Sequence, residues 1–264
     1  MTRVAAVKAV VVGVLAVAST LLFAGGVASA GGFRTYRCDG GAIPSGTYAD
    51  IVVAGPCSVG AGAVIHVRGT VLVRSGAVLD AQSAPATFTV GRDVVGFPGS
   101  MIGLGCQPPE YTGNSAHPCE VDPTGHSTIS VNGNVTIFGA VGVFLNGIVV
   151  GHDVTVLGGG SDIPWSVKNN TIRGNLAMAG QTEEWIGILF NTIHKNVLLA
   201  HIKMTGANDE TGSGTNPLFV VRNSIGRNIA CLGLDPGVFG YGNTIARHAL
   251  GQCASLAASP PAAS

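Results

Sequence analysis

Apolar positions in this chain recur as short pairs and triplets at a period of about 20 residues, not as amphipathic helices or long alternating strands. The clearest unit reads Asn-[Thr/Ser]-Ile-x-x-[Asn/His]-apolar and starts at Asn170, Asn191, Asn223 and Asn243. A relaxed form, β-branched-x-x-[Asn/Asp/Gly/His]-apolar, extends it upstream to Val150, Val131 and Val90, with Gly-bearing versions starting at Val59 and Val73. The anchors Val131, Val150, Ile172 and Ile193 follow one another at nearly constant spacing, and Ile225 to Ile245 repeats it. Only the step from Ile193 to Ile225 is longer, as if a loop had been inserted there. That spacing predicts coils of about 20 residues in an all-β solenoid, the right-handed parallel β-helix. Val90, Val131, Val150, Ile172, Ile193, Ile225 and Ile245 then form one apolar column, because equivalent residues of successive coils stack about 4.8 Å apart. One coil cannot bury its apolar face, but a stack can. A jelly roll or other β-sandwich is the rival fold, and it does not require equal spacing of near-identical units.

The polar member of the unit forms its own column. Asn134, Asn175, Asn196 and Asn228, with Asp93, Asp153 and His248 in equivalent places, read as a structural ladder in which stacked amides satisfy one another at a turn. Two stretches interrupt the period and read as insertions, 97–127 and 204–217. The second is polar, Gly-rich and acidic, as suits a surface loop. Loops on a rigid scaffold often carry function.

The N-terminus changes the compartment. Arg3 and Lys8 precede an apolar run, and Ala28-Ser29-Ala30 ends it as a small-x-small cleavage signal, so residues 1–30 read as a signal peptide and the protein as secreted. The apolar run is shorter than the roughly 20 residues of a membrane span, so no membrane association is expected after cleavage. Residues 31–253 are then the β-helix domain and 254–264, rich in Ala, Ser and Pro, a disordered tail. Six Cys in an exported chain imply three disulfides. Cys38 and Cys57 are about one coil apart, as are Cys231 and Cys253, so each pair is expected at similar positions on adjacent rungs, stapling the two ends. Cys106 and Cys119 are expected to close the first insertion. Free buried thiols are the alternative reading.

Composition bears mainly on what the chain does not do. Charged residues are 11% and glycines number 40, about half and about twice the usual shares, which disfavours long helices. With Arg3 and Lys8 removed the chain is close to neutral, so no nucleic-acid partner is expected. The seven His show no metal-ligand spacing, and neither metal nor cofactor is expected. Catalysis on a polysaccharide needs paired carboxylates, or a cation-binding acid cluster beside a base. Asp162, Glu183, Glu184, Asp209 and Glu210 are the acids of the later coils, with Glu183-Glu184 read as a solvated surface pair. Lys203, Asp209 and Glu210 are the candidate catalytic residues of a lyase or hydrolase. Lys195, Arg227 and Arg247, each two residues after an anchor, predict a basic stripe on three neighbouring rungs that would bind an anionic polymer. Trp165 and Trp185, one coil apart, read as core or cap residues, with an aromatic sugar platform as the alternative.

The chain resembles a set of uncharacterised secreted repeat proteins of actinobacteria with a pectin-lyase-like β-helix. The four Asn-[Thr/Ser]-Ile units, the Cys-bounded insertion and the closing Leu250-Gly251-Gln252-Cys253 carry the resemblance. It covers residues 31–253 and implies a fold but no activity, so no catalytic residue is carried over. The expectation is a non-catalytic extracellular scaffold with a structural, cell-surface-associating or glycan-binding role, its partner an extracellular polysaccharide. A polysaccharide lyase or glycoside hydrolase is the alternative. The oligomeric state is left open.

Overall fold

The structure, a computed structural model, describes residues 33–207 and 214–257. Each coil contributes a strand to three sheets in turn. Val154–Leu157 lies in the first sheet, Trp165–Lys168 in the second and Thr171–Ile172 in the third, and Leu176–Ala179 then returns to the first sheet beside Val154–Leu157. Among the described residues the three sheets hold ten, nine and nine strands, and all neighbours are parallel. The chain is therefore a parallel β-helix. A β-sandwich, with its antiparallel hairpins, is excluded.

The anchor column is present as spaced. Register links Val90, Val131, Val150, Ile172, Ile193, Ile225 and Ile245 rung to rung along the third sheet. It continues upstream through Val67 and Tyr48, not through Val59 and Val73. Val73 pairs with Val53 and Gly96 in the first sheet, and Val59 follows the second-sheet strand Pro56–Ser58. Gly-bearing turns serve every corner of the coil, so Val-x-x-Gly does not say which corner it marks. Inside, period-2 alternation does the sorting: Val154 and Val156 are buried, while Leu157 is exposed.

Two amide ladders hold the corners. At the corner between the third and first sheets, Asn134 donates from N and Nδ2 to Asp93 Oδ1 at 2.7 and 3.0 Å. Asn175 repeats this on Asp153, Asn196 on Asn175, and Asn228 on Asn196. Asp153 N and His248 N donate to Asn134 and Asn228. The expected ladder thus includes every named member, and Thr70 N bonded to Asp50 Oδ1 extends it toward the N-terminus.

A second ladder lies at the corner between the second and third sheets and uses the first Asn of each repeat unit. Asn170, Asn191 and Asn223 are buried, and each donates from N and Nδ2 to the Oδ1 of the next, ending on Asn243, at 2.9–3.0 Å. Each Nδ2 also reaches a carbonyl of the preceding coil, as Asn191 does Val167 O at 2.8 Å. The residues just before these amides, Asn169, Phe190 and Arg222, have φ of 55°, 57° and 52°. That left-handed backbone costs about 1–3 kcal/mol for a non-glycine residue and persists only where its surroundings over-determine it. The buried amides supply that constraint.

All six cysteines are paired as expected, with Cα separations of 6.3, 5.0 and 5.1 Å for Cys38–Cys57, Cys106–Cys119 and Cys231–Cys253. The end staples do not join equivalent positions, however. In register Cys38 faces Val53 and Cys231 faces Gly251, so each bridge crosses a corner to a residue further along the next coil. At the C-terminal end a 3-10 helix, Gln252–Ala257, runs into the stretch expected to be a tail. Gln252 clamps Leu234 through N–H and C=O at 2.7 and 2.8 Å, and Leu256 is buried against the last coil. Both insertions are shorter than expected, because Met101–Leu104 is a regular second-sheet strand and Lys203–Met204 pairs with Thr182–Glu183. Residues 1–32, which include the expected signal peptide, and 258–264 lie outside the described residues.

Candidate functional site

Successive second-sheet strands place Ser166, Gly187, Phe219 and Phe239 in one outward column. The neighbouring outward column carries Lys168, Leu189 and Val221, and Tyr241 follows on the last coil, where Arg222 N donates to its carbonyl. Register sets Trp165 beside Ile186, so Trp165 points into the core and is fully buried. Trp185, one residue earlier than the partner of Trp165, turns outward instead. The two tryptophans therefore do not stack on each other: the core reading holds for Trp165, and Trp185 is partly exposed on the outer face.

Gly187 explains how the indole is seated. Any Cβ there would overlap the Trp185 ring, so the missing side chain lets the indole lie flat on the backbone. Trp185 stacks on Phe219 with centroids 5.6 Å apart and planes at 28°. Phe219 meets Phe239 edge-on at 6.0 Å, and Phe239 meets Tyr241 at 6.3 Å. Phe239 and Tyr241 are 51% and 42% exposed, so this run of rings faces solvent instead of completing a core. The Arg222 guanidinium sits 5.9 Å from the Tyr241 ring and 6.0 Å from that of Phe190.

The rings floor a groove of about 460 Å³ that Ser115 also lines, and a second hollow of about 440 Å³ opens on the other side of Trp185, lined by Pro164, Glu184, Ala207 and Asn216. Both insertions thus reach the same face, one through Ser115 and the other through Ala207 and Asn216. The Cys106–Cys119 insertion is fastened there by a reciprocal amide pair, Asn114 with Asn169, at 2.8 and 3.1 Å. Beneath it, burial and the nearby Lys168 charge lower the His117 pKa, with Glu120 and Asp80 opposing, and burial lowers that of Lys168.

Glu183 is not half of a solvated pair. It is buried, and its carboxylate accepts the N–H of Ser161 at 2.8 Å and of Glu184 at 3.0 Å. It thereby ties the 161–164 turn of one coil to the residue before Trp185 in the next. Burial pushes its carboxyl up to about 7, against the opposing pull of these N–H donors.

The expected site residues fall elsewhere. Lys195, Arg227 and Arg247 do occupy consecutive rungs, with Arg227 N bonded to Lys195 O at 3.0 Å and Arg247 N to Arg227 O at 3.1 Å, and all are exposed. Their corner, between the third and first sheets, is opposite the second sheet and contributes nothing to the groove. Lys203 is exposed at the corner between the first and second sheets, beside Thr182. Asp209 and Glu210 lie outside the described residues. Glu184 lines the second hollow, its own N–H bonded to Ser161 O at 3.3 Å, and the exposed Asp162 follows in the same turn. No cluster of three metal-ligating side chains occurs among the described residues.

Phe219, Phe239 and Tyr241 were not singled out from the sequence. The signal was there, since Phe219 and Phe239 are one coil apart. No protein-family model, curated protein or solved structure matches the chain.

Proposed function

We propose that the protein is a secreted, non-catalytic β-helix that binds a glycan along the outer face of its second sheet. One observation carries the reading: a solvent-facing run of aromatic rings, Trp185, Phe219, Phe239 and Tyr241, follows the helix axis between two insertions. Sugar rings present apolar C–H faces that stack on such surfaces, while amides and hydroxyls at the rim, here Asn216 and Ser115, bond the hydroxyls. Three disulfides support an extracellular setting, and no helix among the described residues is long and apolar enough to cross a membrane.

The test is a glycan array of neutral and acidic polymers, read for both retention and chain cleavage. Retention lost in Trp185→Ala and Phe239→Ala, with no new reducing or unsaturated ends, is the expected result. Chain cleavage that disappears in Lys203→Ala would establish the lyase or hydrolase instead. Retention that survives both aromatic substitutions would remove the groove.

A further inference from the structure

We propose that the groove takes an acidic heteropolysaccharide, a chain in which every second sugar carries an anionic group, and that Lys168 and Arg222 receive two successive anions along one edge of it. The inference rests on the glycan reading of the aromatic run and names the class of polymer.

Arg222 follows Val221 at the corner between the second and third sheets. Its guanidinium stands 5.9 and 6.0 Å from the rings of Tyr241 and Phe190, both of which line the groove. The backbone beneath is held: φ is 52°, its N–H donates to Tyr241 O at 2.9 Å, and the next residue is the buried amide Asn223. Its stem passes over Gly242, where a Cβ would stand 3.0 Å from the Arg222 Cγ. Half-buried Lys168 lies on the same edge two rungs earlier, since Lys168 pairs with Leu189 and Leu189 with Val221. Among the described residues the one ion pair is Arg37 with Asp39, so neither cation is neutralised by a carboxylate in contact. Glu120 and Asp80, which act on neighbouring His117, also stand outside ion-pair distance of Lys168.

The opposite edge has the opposite sign. Across Trp185 the second hollow is lined by Glu184, whose N–H bonds Ser161 O, and exposed Asp162 follows in that turn. Lys203, at the same corner, is bridged to Asp235 on the next rung, which offsets its charge. No residue lining the aromatic groove is charged. A chain lying on the rings along the helix axis therefore meets cations on its third-sheet edge and carboxylates on its first-sheet edge, and its anions are steered to one side.

Spacing then selects the polymer. Two rungs set the cations about 10 Å apart, the length of one disaccharide in an extended chain. Successive units of a β-linked chain turn their substituents to opposite edges. Anions on every second unit thus all reach the Lys168 and Arg222 edge, whereas a homopolyuronate sets half of its carboxylates against Glu184. A guanidinium matches a carboxylate or a sulfate with two parallel N–H bonds, so either anion fits.

Calorimetry with four hexasaccharides tests this: hyaluronan, a keratan type sulfated on every second unit, β-linked hexamannuronate, and cellohexaose. Hyaluronan or the sulfated probe should bind at least about tenfold tighter than cellohexaose and hexamannuronate, and the tighter of the two names the anion. Raising salt should shrink that margin. Arg222→Asn, which suits a left-handed backbone, should remove most of it, and Arg222→Lys should restore part. If Arg222→Asn does not fold, Lys168→Met is read in its place, with a several-fold loss expected. Equal affinity for cellohexaose and the alternating probes overturns the inference but leaves the groove standing wherever Trp185→Ala abolishes that binding. Hexamannuronate bound as tightly as the alternating probes overturns it too, as does a margin untouched in folded Arg222→Asn. Failure of all four probes to bind would count against the groove itself and take the inference with it.

Discussion

The first and second sheets are built on the same interior and differ only in what their outward positions carry. Inside, Val156 and Met178 of one sheet and Val167 and Ile188 of the other are equally buried. Outside, the first sheet is a largely aliphatic plane that carries Thr136 and Thr155, with Arg37 and Arg74 on its N-terminal rungs, whereas the second is recessed between two insertions and carries rings from half-buried Trp185 to exposed Tyr241. Identical packing rules thus yield two surfaces of different chemistry. The β-helix separates the residues that make the fold from those that give it a role, because successive strand residues face opposite ways.

The shared interior is the place to break both faces at once. Asn191→Ala removes the acceptor for two Asn170 donors and the Nδ2 donor that reaches Val167 O in a dry corner, at an expected cost of about 2–4 kcal/mol. Urea titration should show it, with groove binding falling alongside. Asn196→Ala makes the corresponding cut in the half-exposed outer ladder, where water replaces the lost partner, and should cost only about 1 kcal/mol.

Titration reaches the groove as well. Glu183 titrates at about 7 in the fold against an ordinary 4.5, so the folded chain holds this proton more tightly than the unfolded one. The group therefore favours folding fully below pH about 4.5, and that contribution is lost as pH rises through about 7, by at most about 3 kcal/mol. Melting temperature against pH should slope down across this window and flatten in Glu183→Gln. Because Glu183 braces the segment leading into Trp185, glycan binding should change over the same window.

Other effects are confined to the surface. Trp185→Ala should weaken glycan binding at least about tenfold, measured by calorimetry, with the melting temperature little changed. The triple Ala variant of Lys195, Arg227 and Arg247, on the opposite corner, should change affinity less than about twofold at physiological salt.

The coil, its anchor column and the outer ladder were legible because each follows from a fixed spacing, and the disulfide partners because each pair is close in sequence, although the end staples cross a corner where equal spacing had placed them at equivalent positions. The buried ladder was not, although Asn170, Asn191, Asn223 and Asn243 open the very units that defined the repeat. An amide reads the same in sequence whether its corner is wet or dry. The Glu183-Glu184 pair failed for a related reason, since neighbouring strand residues face opposite ways and only register says which one is buried. Register also sent Trp165 inward and Trp185 outward despite their spacing of one coil. A one-residue offset at a corner is invisible to a period that itself varies by a residue or two.

The two tryptophans now supply the most direct test of the groove, because Trp165 is sealed in the core and Trp185 is half-buried with one part reaching solvent. Acrylamide quenching of the wild-type protein should resolve one accessible and one protected fluorophore. Saturation with a polymer retained on the array should shield the accessible one, as expected if the sugar lies on the Trp185 ring. A polymer that binds to saturation while Trp185 remains fully quenchable would contradict the account.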